Sequence, residues 1–102
     1  MSKRKKGKRV FEDDEILTRN NDDYMFTEVD GEAVAMNVNT GTYFGLNSVT
    51  TDIWHFFEED MDYNNVIKKL VGMYDVDEKT CREDTRIVIA RMIAAKLITK
   101  KQ

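Results

Sequence analysis

No proline interrupts the 102 residues, and glycine occurs only five times. No Pro/Gly-rich linker or internal repeat separates two halves, so the chain reads as one domain with a modest core. A single cysteine, Cys81, has no partner for an internal disulfide, which points to a reducing cytoplasm. The one histidine, His55, sits among Trp54, Phe56 and Phe57, with no second histidine or nearby cysteine to build a zinc site or a nucleophile–base pair. Gly41 and Gly45 flank a short strand without the helix turn and lysine of a phosphate-binding loop. No apolar run approaches the ~20 residues that span a bilayer. The basic N-terminal stretch also lacks the apolar centre of a secretory signal. These shortages weigh against an enzyme, against a resident cofactor or metal, and against a membrane protein.

Charge is present but unevenly placed. Lys3, Arg4, Lys5, Lys6, Lys8 and Arg9 put six positive charges in the first nine residues, which leaves 10 basic against 19 acidic residues in the rest. A body of −9 is a poor nucleic-acid surface, because phosphate affinity comes from clustered lysine and arginine. The tail alone reads either as a solvated charge block or as a contact for RNA or an anionic surface. With the acidic run Glu12 to Glu15 that follows, residues 1–15 are expected to form a disordered arm, and residues 16–99 the folded domain.

Asp30-Gly31 separates two strand candidates, 24–29 and 32–38, and is a strong signal for a type I′ hairpin. A two-residue loop pairs Val29 with Glu32, Thr27 with Val34 and Met25 with Met36. One face then gathers Met25, Thr27, Val34, Met36 and Val38, and the other Tyr24, Phe26, Ala33 and Ala35. The Met/Val face is expected to be the buried one. Asn39-Thr40-Gly41 suits a three-residue loop into a third strand, 42–46, with Met36 opposite Phe44. Phe44 and Leu46 then face inward and Tyr43 outward.

Three helices are expected after this meander. The first, 49–59, buries Ile53, Trp54 and Phe57. The second starts after Asp62 and presents Val66, Ile67 and Leu70. The third, 78–95, is capped by Asp77 and carries a stripe of Cys81, Thr85, Val88, Met92 and Ala95. Asp84, Ile87 and Arg91 lie along one flank of that stripe. The fold class is therefore α+β: a three-stranded antiparallel sheet packed on three helices, of winged helix-turn-helix size. Of the six methionines, Met25, Met36 and Met92 are expected in the core.

Several short motifs recur together in one known family. They are Asp30-Gly31-Glu32, Asn37-x-x-Thr40-Gly41-x-Tyr43, Leu46-Asn47, Ile53-Trp54, Tyr74-Asp-Val-Asp77 ahead of a helix carrying Asp84, and a closing Leu97-Ile98. Between Val29 and Ile98 the chain resembles the coenzyme PQQ synthesis protein D family and the related domains called RiPP recognition elements. The resemblance implies a winged helix-turn-helix-like fold and a non-catalytic task. Such domains capture the leader of a ribosomally made precursor peptide and present it to a modifying enzyme, such as a radical SAM enzyme, a protease or a cyclase. The leader adds as a strand beside the third strand, against the third helix. On this chain the implied peptide-binding residues are Thr42, Tyr43, Phe44, Gly45 and Leu46 on the strand, with Asp84, Ile87, Val88 and Arg91 on the helix. Phe44, Leu46 and Val88 read equally as core, and Asp84 and Arg91 as a solvated flank. The implied state is a monomer or weak dimer without cofactor, metal, nucleic acid or membrane.

Where the family often has glycine before the final Leu-Ile, this chain has Lys96, so the third helix is expected to run on. The rival from another class is a winged-helix DNA-binding regulator. It has weak support, since the third helix holds Lys79, Arg82, Arg86, Arg91 and Lys96 against Asp77, Glu78, Glu83 and Asp84. A purely structural subunit of an enzyme is a third reading.

Overall fold

In the computed structural model, residues 10–101 are described. Their order is β1 (Leu17–Arg19), β2 (Tyr24–Val29), β3 (Glu32–Asn37), β4 (Tyr43–Gly45), α1 (Ser48–Phe56), α2 (Tyr63–Met73), α3 (Glu78–Ala94) and β5 (Ile98–Lys100). Strands β2-β3-β4 form the antiparallel meander. A second, two-stranded sheet joins β1 to β5, with Leu17 opposite Lys100, and its Leu17 also bridges Met61.

The Asp30-Gly31 hairpin forms in the expected register, Met25 opposite Met36 and Val29 opposite Glu32. Both turn residues have positive φ, 52° and 82°, as a type I′ turn requires. The second hairpin is one residue longer than expected. Asn37 N–H donates to Thr42 O at 2.8 Å, so residues 38–41 form a four-residue loop. The Asn37 side chain holds it open by accepting from the backbone N–H groups of Asn39 and Thr40. The slip pairs Met36 with Tyr43 and Ala35 with Phe44.

The buried face of the sheet is also the opposite of the expected one. Tyr24, Ala33 and Ala35 are buried, whereas Met25 is 61% exposed and Val29 60%. Small alanines at the centre let α1 approach β3 closely. The aromatic rings then fill the margins: Phe26 lies 4.8 Å from Trp54 and Tyr24 lies 6.1 Å from Phe44, centroid to centroid. Thr51, 1% exposed, fastens this contact: its hydroxyl accepts from Ala33 N–H at 2.9 Å and donates to Leu46 O at 3.1 Å. Since a one-residue slip exchanges the two faces, Phe44 and Leu46 still point toward the helices and Tyr43 away from them.

All three helices begin on the side-chain caps that orphan N–H groups demand: Asn47 accepts from Thr50, Asp62 from Asn65, and Asp77 from Thr80. The arm departs from the expected disorder. Phe11 is 2% exposed, packed 5.3 Å from the Tyr63 ring, and Asp13 pairs with Arg82 and Arg86 of α3. One buried ring and two ion pairs dock residues 10–15 against α2 and α3. The basic residues 3–9 lie outside the described residues. No helix among the described residues is long and apolar enough to cross a membrane.

Helix α3 does not run on. Lys96 takes a left-handed conformation, φ 64°, and the chain closes in a Schellman turn, with Leu97 N–H donating to Met92 O and Lys96 N–H to Ile93 O. Asn20 donates to Lys96 O, and the Tyr24 hydroxyl donates to Ala95 O at 2.7 Å, fixing the helix end. A left-handed non-glycine residue costs about 1–2 kcal/mol, partly offset by glycine's greater loss of entropy. Lys96→Gly is therefore expected to stabilise the chain by about 0.5–1 kcal/mol in urea unfolding. A destabilised variant would show that the lysine side chain contributes more than its backbone costs.

Candidate peptide-binding groove

Strand β4 has one open side. In an antiparallel ladder, successive residues alternate between pairing inward and pointing outward. Asn37 bonds Thr42, and Leu46 N–H donates to Ala33 O at 2.8 Å. Phe44, lying between them in the register, therefore exchanges its backbone bonds with Ala35. It follows that the N–H and C=O groups of Tyr43 and Gly45 face the open side. Two residues thus offer a rail of donors and acceptors without disturbing the existing sheet. Neither lysine nor proline guards this edge.

Beside the rail runs a groove of about 330 Å³ between β4 and α3. Phe44, Gly45 and Leu46 form one wall, and Val88, Arg91 and Met92 part of the other. Leu46 and Met92 are buried, while Phe44 is 39% exposed, an aromatic ring half open to solvent. The Schellman turn supplies the far end, because Met92 and Leu97 both line the groove. Helix caps position the walls: Asn47 starts α1 at the foot of β4, and Asp77 starts α3. Hydrogen bonds from the Thr80 side chain and backbone hold the Asp77 carboxyl below the usual carboxylate range. The capping contribution is thus fully present above the usual carboxylate range and is lost as pH falls from that range through the lowered pKa.

Of the nine sequence-predicted residues, Phe44, Gly45, Leu46, Val88 and Arg91 come together in this groove. Thr42, just ahead of the strand, and Tyr43, its first residue, lie at the approach, both exposed; β4 is shorter than the expected 42–46. Asp84 lines a separate cavity of about 230 Å³ with Val49, Leu70, Tyr74 and Cys81. That cavity continues along the same side of α3, since 81, 85, 88, 92 and 95 follow one helical stripe with 84 at its flank. Ile87 turns the other way and lines a cleft with Val10 and Phe11. Its apolar character answers to the arm. Sequence reasoning missed Met92, Ala95 and Leu97 as groove residues, and Thr50 and Asn47 at its base. The family's frequent glycine before Leu-Ile, the mark of a left-handed cap, was the available signal for Leu97.

Electrostatically the groove is set apart by Arg91. Arg82 donates to Glu78 and Asn64, and Arg86 to Asp13. Arg91 is the one arginine of α3 with no anionic partner among the described residues. Two of the three arginines of α3 are thus already paired, which weakens the basic face that a winged-helix DNA reader uses. His55 lies 2.9 Å from Glu28 and ties α1 to β2, and Cys81 is buried against Thr85.

The sequence matches the family of coenzyme PQQ synthesis protein D over residues 32–98. The chain belongs to that family. Family membership covers β3 to the start of β5, and so includes both walls of the groove. A solved structure described as "TbiB1 in Complex with the TbiA(beta) Leader Peptide" superposes with a TM-score of 0.74 at 26% identity, covering 83% of this chain and 98% of that one. That protein was captured with a leader peptide bound. Among curated proteins, none matches the chain.

Proposed function

We propose that this chain is a non-catalytic recognition domain. It captures the leader of a ribosomally made precursor peptide by strand addition to β4 and presents it to the modifying enzyme. The observation that carries this reading is the open β4 rail, Tyr43 and Gly45, running beside an apolar groove that contains an unpaired arginine. β-addition needs those two things together: main-chain partners for affinity and pockets for alternate side chains. Membership of the family and the likeness to a leader-bound structure support it.

On this reading the peptide residue opposite Phe44 enters the groove between Phe44 and Val88. A leader carboxylate meets Arg91. Thr42 and Leu46 frame the added strand, and Asp84 lies further along the α3 stripe, within reach of a basic residue in a longer peptide. Ile87 keeps only an indirect part, through the docked arm.

Calorimetric titration with a synthetic leader, taken from the precursor peptide encoded beside the gene, is expected to give micromolar or tighter binding, about −8 kcal/mol or better. Chemical shifts should move at residues 42–46, 88 and 91. No heat and no shifts at those positions would overturn the proposal. Addition of the modifying enzyme tests presentation separately: leader and enzyme should bind together in one complex, and an enzyme that captures the chain equally well without leader would favour a structural subunit.

A further inference from the structure

The outer face of the sheet, turned away from the helices, has its own feature at Gly45. Cross-strand register places Met25, Met36 and Tyr43 in one row and Thr27, Val34 and Gly45 in the next. Gly45 leaves its row without a side chain at the open edge, and a Cβ placed there meets nothing within 4 Å. The gap opens into a shallow depression of about 520 Å³ bounded by Val29, Asp30, Glu32 and Val34. The depression adjoins the helix-side groove through Gly45, Leu46 and Asn47, and it reaches the outer-face residues Val29, Glu32 and Val34, which the groove does not. The floor is apolar. The rim carries two exposed carboxylates, Asp30 and Glu32, with no ion-pair partner among the described residues. Tyr43, 69% exposed, flanks it two residues away on the same face.

Building on strand addition at β4, we infer that this depression is a second recognition subsite, which takes an arginine or lysine side chain of the bound peptide. Directly opposed residues of an antiparallel pair project to the same face. The peptide residue bonded to Gly45 therefore places its side chain on the outer face, where Gly45 supplies none. Strands lie about 4.8 Å apart, so a long side chain crosses Gly45 and rests its methylenes on Val34. Its charge then reaches Glu32 and Asp30. Arginine is favoured over lysine, because a planar guanidinium can bond a carboxylate while stacking on the Tyr43 ring. An aromatic side chain would cover the floor and leave both carboxylates unanswered. The peptide is thus read on two faces, apolar and acidic residues toward the groove and a basic residue outward.

Random twelve-residue peptides displayed against the full chain test this. Enriched sequences should alternate, with apolar residues at one parity and arginine or lysine at a fixed position of the other. Calorimetry on one enriched synthetic peptide then completes a double-mutant cycle with Gly45→Leu, which fills the gap but keeps the backbone donor. Gly45→Leu should weaken the peptide about tenfold, yet change its Arg→Ala variant less than about twofold. Glu32→Gln should show the same coupling, with thermal melts confirming that each variant folds. Additive losses, or enrichment of aromatic or acidic residues at that position, would overturn the subsite while leaving strand addition intact. Absence of any enriched peptide that binds the wild-type chain, or affinity unchanged by Gly45→Pro, would overturn both.

Discussion

Gly45→Pro is expected to weaken leader binding about 30-fold, roughly 2 kcal/mol, while leaving the melting temperature within a few degrees of wild type. The asymmetry follows from the ladder. Phe44, not Gly45, bonds Ala35, so the Gly45 N–H faces the open side and its loss breaks nothing inside the sheet. Proline suits an edge position whose donor points away from the partner strand, and Phe44 is already extended, as the residue before proline must be. An incoming peptide meets a missing donor and a ring in its path. Phe44→Pro is the matching control, since it removes an internal ladder bond and should destabilise the fold itself. Equal affinities for wild type and a well-folded Gly45→Pro variant would rule out strand addition along this edge.

Thr51→Val should lower stability by about 2–3 kcal/mol, a fall in melting temperature of roughly 10–20 °C. The shape is conserved, so no cavity forms. What changes is that the buried Ala33 N–H loses its acceptor and Leu46 O loses a donor. A buried donor left without a partner costs its full desolvation, far more than the net worth of an ordinary hydrogen bond. Thr51→Ser retains the hydroxyl and should cost less than about 1 kcal/mol. Similar losses for valine and serine would locate the contribution in the methyl group. Because Thr51 links α1 to the strand ends on either side of the rail, the valine variant should also loosen the groove, visible as faster amide exchange at Leu46.

Local chemistry was legible in the sequence and the global placement of faces was not. Asp30-Gly31 dictated its turn and register through the φ values it needs, and Asp62 and Asp77 advertised helix starts whose caps the structure shows. Face choice depended on packing against a helix not yet placed. Met25, Val34 and Met36 were ranked as core by their hydrophobicity, but Ala33 and Ala35 were buried because small side chains admit α1. The four-residue loop after Asn37 was hidden because Asn37 itself became part of the turn chemistry. Those two errors cancel at Phe44, which points into the groove for a reason the linear pattern did not contain.

The helix side of the groove shows the same limit. Helical periodicity put Asp84, Ile87 and Arg91 on one flank beside Val88, whereas only Val88 and Arg91 line the groove. Assignment of Ile87 to the groove failed because the arm was read as disordered. Phe11 and Asp13 look like minor residues between two charge blocks. Only the aromatic and cationic surroundings of Tyr63, Arg82 and Arg86 make them an anchor. The exposed Met25 and Tyr43, with the half-buried Met36 between them, remain outside after the exchange of faces as a surface next to the added strand.

Amide hydrogen exchange at β4, followed with and without the leader peptide, tests strand addition most directly. Free chain should exchange rapidly at Tyr43 and Gly45 and slowly at Phe44, whose N–H already belongs to the sheet. Leader binding should slow Tyr43 and Gly45 sharply and leave Phe44 nearly unchanged. If leader binds with full affinity while Tyr43 and Gly45 continue to exchange as in the free chain, the peptide docks elsewhere and the β4 rail is not its partner.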